Sequence, residues 1–126
     1  TGDDDVHGLL SGGKIIEESG SNSNGHYVRY ADGTQVCWHM ITNTPSIQSS
    51  SSSGLYYSDL YTWTYPVEFD LTNSSVVTTA DISASWWWVS TTGPPSETDI
   101  TFRTFGTRTS SENYTVRACA IGRWKP

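Results

Sequence analysis

The clearest pattern of apolar and polar positions surrounds the pair Asp32-Gly33, within residues 25–40. Segments rich in Val, Tyr and Trp flank this pair, and Asp-Gly is a strong signal for a two-residue hairpin turn because both central positions need positive φ. Counting outward predicts four facing pairs, which are Tyr30 with Gln35, Val28 with Cys37, Tyr27 with Trp38, and His26 with His39. Apolar groups then lie on both faces, so the hairpin requires a second sheet or a partner chain to cover them.

A second alternating segment runs from Tyr61 to Tyr65. It places Trp63 on the same face as the two tyrosines and the intervening threonines on the other face. Pro66 fits a strand end or an edge because it cannot donate to a ladder. Residues 67–69 are predicted to continue this strand.

Further strand patterns occupy residues 14–19, 75–83, 85–90, 99–105 and 114–124. Alternation predicts a shared face in the last two, formed by Ile100, Phe102 and Thr104, and by Tyr114, Val116, Ala118, Ala120 and Gly122. Residues 43–54 contain five consecutive serines and are predicted to form a long exposed loop. Because helical periodicity is lacking and turn signals separate the short strands, we expect a compact antiparallel β-sandwich of six to eight strands.

The chain of 126 residues is long enough for one domain with a modest core. We assign residues 20–126 to the sandwich and residues 1–19 to a lead-in that is flexible or stabilised by partner chains. The run Asp3-Asp4-Asp5 fits a solvated stretch better than a metal site. A start at Thr1 is consistent with a piece of a longer protein, so targeting information need not be present in it.

The composition narrows the classes of partner. Only 16% of the residues are charged while 13% are aromatic, and the formal net charge is −6. Scattered basic residues argue against nucleic acid as a partner, and no apolar run approaches the roughly 20 residues that a membrane-spanning helix needs. A surface of hydroxyls, amides and aromatic rings suits the recognition of sugars or proteins, and it indicates no cofactor.

Two cysteines and two facing histidines are the candidates for covalent or metal chemistry. Cys37 and Cys119 lie in apolar strands and fit buried small hydrophobes, with one disulfide as the alternative. His26 and His39 fit surface or interface positions, with metal ligation as the alternative, particularly if a threefold axis brought six imidazoles together. Neither a nucleophile elbow nor a spaced carboxylate pair is present, so we expect no enzyme activity.

The run Trp86-Trp87-Trp88 is the most unusual local feature. Alternation places the first and third indoles on one face of a strand and the second on the other, so at least one is expected at an exposed surface or an interface. Exposed aromatic rings stack on sugars and also dominate protein contacts. Core packing together with subunit packing is the alternative role for these rings.

Several segments together resemble the C-terminal domain of bacteriophage and prophage tail fibres. They are Gly20-Ser-Asn-Ser-Asn-Gly25, Tyr27-Val-Arg-Tyr-Ala-Asp-Gly-Thr-Gln-Val-Cys-Trp38, Tyr61-Thr-Trp-Thr-Tyr-Pro-Val-Glu-Phe69 and Ala120-Ile-Gly-Arg-Trp124. The resemblance covers roughly residues 16–124, apart from 43–57 and 82–113. The segment Trp63-Thr-Tyr-Pro66 is also similar to the H-type lectins.

The resemblance implies a homotrimeric sandwich at the distal end of a virion tail fibre, made in the bacterial host cytoplasm. It implies a receptor-binding function directed at a host surface glycan such as lipopolysaccharide or at another outer-membrane component, without membrane insertion. The matched motifs are then scaffold, and the loops 43–60 and 84–97 are the expected contact regions. Their exposed aromatic residues make Tyr56, Tyr57, Trp86, Trp87 and Trp88 the candidate ligand-binding residues. A trimerisation and capping module, and a polysaccharide depolymerase, are the alternatives.

Overall fold

The computed structural model describes residues 15–42, 44–50, 53–83, 86–110 and 114–126. Within these ranges the chain forms ten strands and no helix, so no helix there is available to cross a membrane. In chain order they are β1 (Ile16–Asn22), β2 (Gly25–Tyr30), β3 (Thr34–Ile41), β4 (Ile47–Ser50), β5 (Tyr56–Ser58), β6 (Tyr61–Thr64), β7 (Val77–Ile82), β8 (Trp87–Thr91), β9 (Asp99–Gly106) and β10 (Val116–Arg123). The all-β prediction is confirmed, with more strands than the expected six to eight.

Two antiparallel sheets make up the fold. Sheet A has the order β1-β2-β3-β10-β7, and sheet B has the order β4-β5-β9-β6, with β8 also paired to β9. Their facing sides meet in one apolar core, whose buried members are Cys37, Trp63, Tyr65, Phe69, Val76, Ile100, Phe102, Ala118 and Ala120. Residues 16–19, which the sequence assigned to the lead-in, lie in β1, and residues 1–14 lie outside the described part of the chain.

The alternation of β6 and β9 is confirmed. Trp63 and Tyr65 are buried and their rings meet edge to face, with centroids 5.3 Å apart. Every second residue of β9, starting at Ile100, is buried, whereas the residues between them are partly exposed. The residues that the pattern placed on one face therefore do share a face, and the structure shows that this face is the inward one.

The predicted register of the hairpin is wrong by one residue. The observed pairs are Arg29 with Gln35, Val28 with Val36, Tyr27 with Cys37, and His26 with Trp38. The loop has three residues instead of two, since only Gly33 has positive φ and Asp32 does not. The Gly33 N–H donates to the Tyr30 carbonyl over 3.0 Å, and the Asp32 carboxylate accepts from the Thr34 N–H over 2.9 Å. Three-residue hairpin loops with glycine in the left-handed region have this arrangement.

The two cysteines lie on adjacent strands but on opposite faces of sheet A. Cys37 is buried and pairs with Ala120, whereas Cys119 is partly exposed and pairs with Trp38, and both thiols are free. The prediction of a buried hydrophobe is confirmed for Cys37, and burial raises the pKa of its thiol to about 11. Opposite side-chain directions account for the absence of a disulfide between them.

The prediction of an exposed loop at residues 43–54 is wrong in part. Ile47 and Thr44 are buried, and residues 47–50 form β4, which pairs with β5. The Thr44 hydroxyl donates to the Tyr114 carbonyl over 2.9 Å, which fixes the entry to β4. Strand pairing uses backbone groups, so the serine side chains do not prevent it.

Residues 67–69 do not continue β6. After Pro66 the chain turns, and the Phe69 N–H donates to the Glu97 carbonyl over 2.8 Å. The Phe69 ring enters the core and meets the Tyr65 ring edge to face at 4.9 Å. A proline that ends the ladder and an aromatic ring that packs inward explain the departure from a straight strand.

The motifs that carry the family resemblance contact one another. The Trp63 indole N–H donates to the Asn24 carbonyl over 2.9 Å, and the Asn22 amide donates to the Pro66 carbonyl over 2.8 Å. The Trp124 indole N–H donates to the Tyr30 carbonyl over 2.8 Å, at the hairpin loop. These contacts support the interpretation of the motifs as scaffold.

Candidate functional site

A row of aromatic side chains crosses the outer face of sheet B. Tyr57 on β5 and Trp88 on β8 both pair with Phe105 on β9, from opposite edges of that strand. Because directly paired residues point to the same side of a sheet, the three rings share one face. The Trp88 and Phe105 rings are stacked, with centroids 6.2 Å apart and an interplanar angle of 22°. We call these three residues the aromatic row.

The aromatic row is exposed to solvent, and hydrogen bonds on the inner side of sheet B hold its strands together. Trp88 is 48% exposed, although it is one of the largest apolar side chains. On the inner side, the Ser58 hydroxyl accepts from the Thr104 N–H over 3.1 Å, and the Tyr61 hydroxyl lies 2.8 Å from the Thr104 hydroxyl. These bonds tie β5 and β6 to β9, so the row is built on paired strands.

Arg103 lies on the same face of sheet B as the aromatic row, two residues before Phe105 on β9. Its guanidinium carbon lies 5.0 Å from the centroid of the Tyr57 ring, within the range of a cation–π contact. Its buried Nε has no hydrogen-bond partner within the described part of the chain. The aromatic row therefore has a cationic donor beside it.

Trp86 and Arg108 form a second exposed contact of this type at the end of β8. The Arg108 guanidinium carbon lies 3.8 Å from the centroid of the Trp86 ring, and both side chains are exposed. The Thr107 N–H donates to the Trp86 carbonyl over 3.3 Å, which holds the two chain segments together. We call this pair the Trp86–Arg108 stack.

Trp87 has a structural role on the other side of the sheet. Its ring lies over Gly106, where a Cβ atom would collide with the indole and would lie 2.7 Å from the Trp86 carbonyl oxygen. The Trp87 indole N–H donates to the Arg108 carbonyl over 2.8 Å. Trp87 thus positions the Trp86–Arg108 stack without belonging to the exposed face.

The five predicted ligand-binding residues therefore fall into two groups. Tyr57, Trp86 and Trp88 contribute to the exposed surface, whereas Tyr56 and Trp87 both pair with Gly106, on the face opposite to the aromatic row. Sequence reasoning missed three residues of the surface, which are Arg103, Phe105 and Arg108. The predicted shared face of the even-numbered residues 100–104 places the odd-numbered residues of β9 on the other face, and that was the signal for Arg103 and Phe105.

The two histidines do not face one another. His26 pairs with Trp38, and the two rings stack at 5.6 Å on the outer side of sheet A. His39 is the next residue along β3, so it points inward, and its ring stacks on Trp63 at 6.5 Å. The one-residue register change separates them. In the described ranges no group of three or more His, Cys, Asp or Glu side chains is arranged to hold a metal ion.

The outer face of sheet A carries aliphatic side chains. Val28, Val36, Ile121 and Val77 form a row across four strands, because each pairs with the next. Val77 is 69% exposed and Ile121 is 47% exposed. We call this row the aliphatic row.

A shallow pocket of about 360 Å³ lies beside the aliphatic row. It is lined by Trp38, Cys119 and Thr79, together with an ion pair between Arg117 and Asp81. The two arginine–carboxylate hydrogen bonds are 2.9 Å each. This face therefore combines apolar groups with charges that compensate each other.

The fold is shared with a pyocin tail fibre. A solved structure of the P. aeruginosa R1 pyocin fibre comprising C-terminal residues 323-701 matches 91% of this chain with a TM-score of 0.58 and 19% sequence identity. An N-truncated R1-type pyocin tail fibre matches 94% of this chain and 94% of its own length, with a TM-score of 0.53 and 16% identity. This chain spans 30% of the first of these structures. At these identities the likeness establishes the fold.

Comparison of the amino-acid sequence, unlike comparison of the structure, finds no match. The sequence matches no protein-family model and no curated protein sequence. The expected tail-fibre fold is thus confirmed by structural similarity.

Proposed function

We propose that this chain is a receptor-binding domain of a phage or phage-tail-like fibre and that it binds a bacterial surface glycan, such as that of lipopolysaccharide. Two observations support the assignment to a fibre, namely the motifs of residues 20–38, 61–69 and 120–124 and the similarity to the R1 pyocin fibre structures.

The single observation that carries the proposal is the aromatic row. Tyr57, Phe105 and Trp88 present ring surface on an open sheet face, where no core contact requires it. Neighbouring strands are about 4.8 Å apart, so the row spans about 10 Å, enough for an extended rather than a point-like contact. Sugars bring apolar C–H faces to such rings and hydroxyls to the polar groups around them. Ser49, which pairs with Tyr57, adds a hydroxyl at one end.

An open face gives weak binding at a single site, and repetition compensates for this. Shallow surfaces exclude less water than closed pockets, so each contact contributes less free energy. Several identical sites on one fibre convert the second and later contacts into intramolecular ones and raise the avidity by orders of magnitude. We therefore expect the domain to act as a homotrimer.

A glycan array tests the proposal. The array carries lipopolysaccharides and capsular polysaccharides from a panel of bacteria, and it is probed with the labelled wild-type domain and with Trp88→Ala. We expect selective binding by the wild type and a loss of at least about tenfold in Trp88→Ala, equivalent to about 1.4 kcal/mol. Leu60→Ala, which truncates another exposed apolar side chain of the domain, is the matched control and should bind normally. Equal binding by all three proteins, or no binding to any glycan, would contradict the proposal.

The proposed role is binding without catalysis. The same polysaccharides are incubated with the domain, and the formation of new reducing ends is measured over time. We expect no increase above the buffer control. Release of sugar fragments would favour the depolymerase alternative over the proposed one.

A second function, trimerisation and capping of the fibre, is favoured by the outer face of sheet A. The aliphatic row is exposed in the single chain, and oligomerisation is a common way to cover such a surface in a small domain. Arg117 and Asp81 on this face neutralise each other, and Arg123, two residues from Ile121, donates to the Asp32 and Lys125 carbonyls, so the face suits an identical copy better than a cationic partner. Light scattering at several concentrations should give a mass near three times 13.9 kDa, and a monomer throughout would exclude this function.

A further inference from the structure

The basic residues of this acidic chain are divided between two kinds of environment. The chain has seven Lys and Arg residues against 13 Asp and Glu. Arg29 and Arg117 are paired with carboxylates, and Arg123 donates to the Asp32 and Lys125 carbonyls. Within the described part of the chain, the guanidinium groups of Arg103 and Arg108 contact aromatic rings only, whereas Arg29 contacts the Trp124 ring as well as Glu18. Throughout the described ranges, no carboxylate lies within 4.0 Å of either guanidinium.

Arg103 is arranged to accept an anionic group. The Tyr57 ring covers one side of its guanidinium, which keeps the group near the aromatic row. The Nε atom is buried and has no hydrogen-bond partner in the described part of the chain, so a shift of the side chain towards a ligand would bring this donor to an oxygen atom. A buried donor left unsatisfied is unfavourable, so satisfying it favours the bound state.

Arg108 offers the same chemistry in an exposed position. The Trp86 ring lies 3.8 Å from the guanidinium carbon, so one side of the guanidinium is in contact with the indole while its N–H edge remains available. Planar N–H pairs bind carboxylates and phosphates bidentately. In the described part of the chain the Arg108 side chain makes no ion pair that would compete for these donors, and the residue is exposed.

The backbone around Arg108 is fixed before a ligand arrives. The Trp87 indole N–H donates to the Arg108 carbonyl over 2.8 Å, and the Thr107 N–H donates to the Trp86 carbonyl over 3.3 Å. Since less conformational freedom remains to be lost, a ligand is bound at lower entropic cost. This arrangement is more typical of a prepared surface than of a solvated arginine.

From these contacts we infer that the ligand is an acidic glycan, with sugar rings on the aromatic row and a carboxylate or phosphate group at Arg103 and Arg108. This inference rests on the proposed glycan-binding function and adds the charge of the ligand. The excess of acidic residues elsewhere on the chain repels an anion, so the two arginines direct it to this face. A neutral sugar could offer hydroxyl oxygens to these donors, but it would leave both guanidinium charges without a counter-charge.

The test compares charged and neutralised forms of the same polysaccharides. Acidic capsular polysaccharides are printed on the array beside their carboxyl-reduced forms, and phosphate-bearing lipopolysaccharides beside their dephosphorylated forms. We expect the wild type to bind the acidic form at least about tenfold more tightly, because a charge-assisted contact is lost on neutralisation. Binding should also weaken as sodium chloride is raised.

Two arginine variants complete the experiment. Arg108→Gln should lower binding to the acidic form at least about tenfold, and Arg108→Lys should restore part of it because the charge returns without the planar donors. Lys125→Gln is the matched control, since Lys125 also lies over an indole, that of Trp124, at 4.8 Å. It removes the same charge and should leave binding unchanged.

The outcomes separate this inference from the function on which it rests. Equal binding to the acidic and neutralised forms, with Arg108→Gln unaffected and Trp88→Ala impaired, would overturn the acidic ligand and leave the glycan-binding function intact. Absence of binding to every glycan would overturn both. Loss of binding in Lys125→Gln as well as in Arg108→Gln would show a general charge effect and would also overturn the assignment to these two arginines.

Discussion

The two outer faces of the sandwich are built by the same strand alternation and carry different chemistry. On sheet A the outward positions place Val28, Val36, Ile121 and Val77 in one row, beside an ion pair that compensates its own charge. On sheet B they place an aromatic row next to an uncompensated arginine. The inward side chains of both sheets pack into one core. The outer faces are not needed for this packing, so the fold alone does not determine what each of them contacts.

This difference indicates a division of tasks between the faces. An aliphatic surface without excess charge gains free energy from contact with a similar surface, because apolar area is removed from water. An aromatic surface with arginine side chains provides ring faces and directional donors, which suit a polar ligand. In our account sheet A serves assembly and sheet B serves recognition.

The largest expected effect follows from charging the aliphatic row. In the double variant Val77→Asp/Ile121→Asp, two carboxylates occupy paired positions on β7 and β10. Burying them in an interface without partners is highly unfavourable, so the assembly should dissociate. Light scattering should change from about three times 13.9 kDa to the mass of one chain.

The control places one aspartate on the other sheet. Thr62 is exposed and pairs with Thr101 on β9, away from the aliphatic row, so Thr62→Asp should keep the mass of the wild type. Unchanged mass in the sheet A variant, with a folded circular dichroism spectrum, would show that this face does not mediate assembly.

A smaller effect is expected from filling the space that Trp87 occupies. Gly106→Ala introduces a Cβ that collides with the Trp87 ring, and overpacking of this kind costs about 1–3 kcal/mol. Displacing Trp87 also disturbs the Arg108 carbonyl that it bonds. Thermal unfolding should show a lower midpoint, and glycan binding should weaken together with it.

Gly93→Ala is the matched control for this change. A Cβ at Gly93 would meet no atom within 4 Å, so its unfolding midpoint and its binding should match those of the wild type. If Gly106→Ala behaved like Gly93→Ala, the proposed packing of Trp87 behind the binding face would be wrong.

Much of the core could be predicted from the sequence, because the alternation of apolar and polar residues is recognisable within a single strand. The shared faces of Trp63 with Tyr65 and of Ile100 with Phe102 were predicted in this way and are confirmed, and the structure shows that both faces are buried. The hairpin register was not predicted, because Asp-Gly is compatible with loops of two or three residues. A residue distant in sequence also contacts this loop, since the backbone N–H of Trp124 donates to the Gly33 carbonyl over 2.9 Å.

The candidate site was harder to predict because it is assembled from three separate strands. Tyr57, Trp88 and Phe105 become neighbours only when β5 and β8 pair with opposite edges of β9. No local pattern specifies which edge each strand uses or how far it is shifted. Local alternation placed Arg103 on the outward side of β9, but it could not show which rings Arg103 and Arg108 lie against.

The two cysteines provide a further comparison of the inner and outer sides of sheet A. Cys119 lies on the outer face beside Trp38, whereas Cys37 is buried in the core, and burial raises the pKa of both thiols. We expect iodoacetamide at alkaline pH to label Cys119 in the dissociated Val77→Asp/Ile121→Asp variant at least about tenfold faster than in the wild-type assembly. Mass spectrometry of tryptic peptides measures the rate at each cysteine.

Cys37 is the internal control in this experiment, because its burial does not depend on assembly and it should remain unlabelled in both proteins. Equal labelling of Cys119 in the assembly and in the dissociated variant would place the interface elsewhere.

The smallest effect is a pH dependence of stability that originates from His39. Burial lowers the pKa of His39, and the nearby His26 lowers it further. The unfolded chain, with an ordinary histidine pKa of about 6.5, then binds more protons than the folded chain below that pH. The contribution of neutral His39 to stability is therefore fully present above about pH 6.5. It is lost as the pH falls through that value towards the lowered pKa of the folded state.

The unfolding midpoint, measured from about pH 7.5 to about pH 5, should show this decrease in the wild type and a smaller one in His39→Gln. His26→Gln changes the histidine on the outer face of sheet A, and this variant should retain most of the wild-type pH dependence of the unfolding midpoint. The same pH dependence in His39→Gln as in the wild type would assign the effect to other groups.

The most direct test of the division between the two faces uses the six tryptophans as reporters. The indole N–H signals of the isotopically labelled protein are followed by NMR while the polysaccharide that binds best on the array is added. We predict that the Trp88 and Trp86 signals shift, whereas those of Trp38 on sheet A and Trp63 in the core stay in place. A shift of Trp38 with Trp88 unchanged would place the ligand on sheet A and contradict the account.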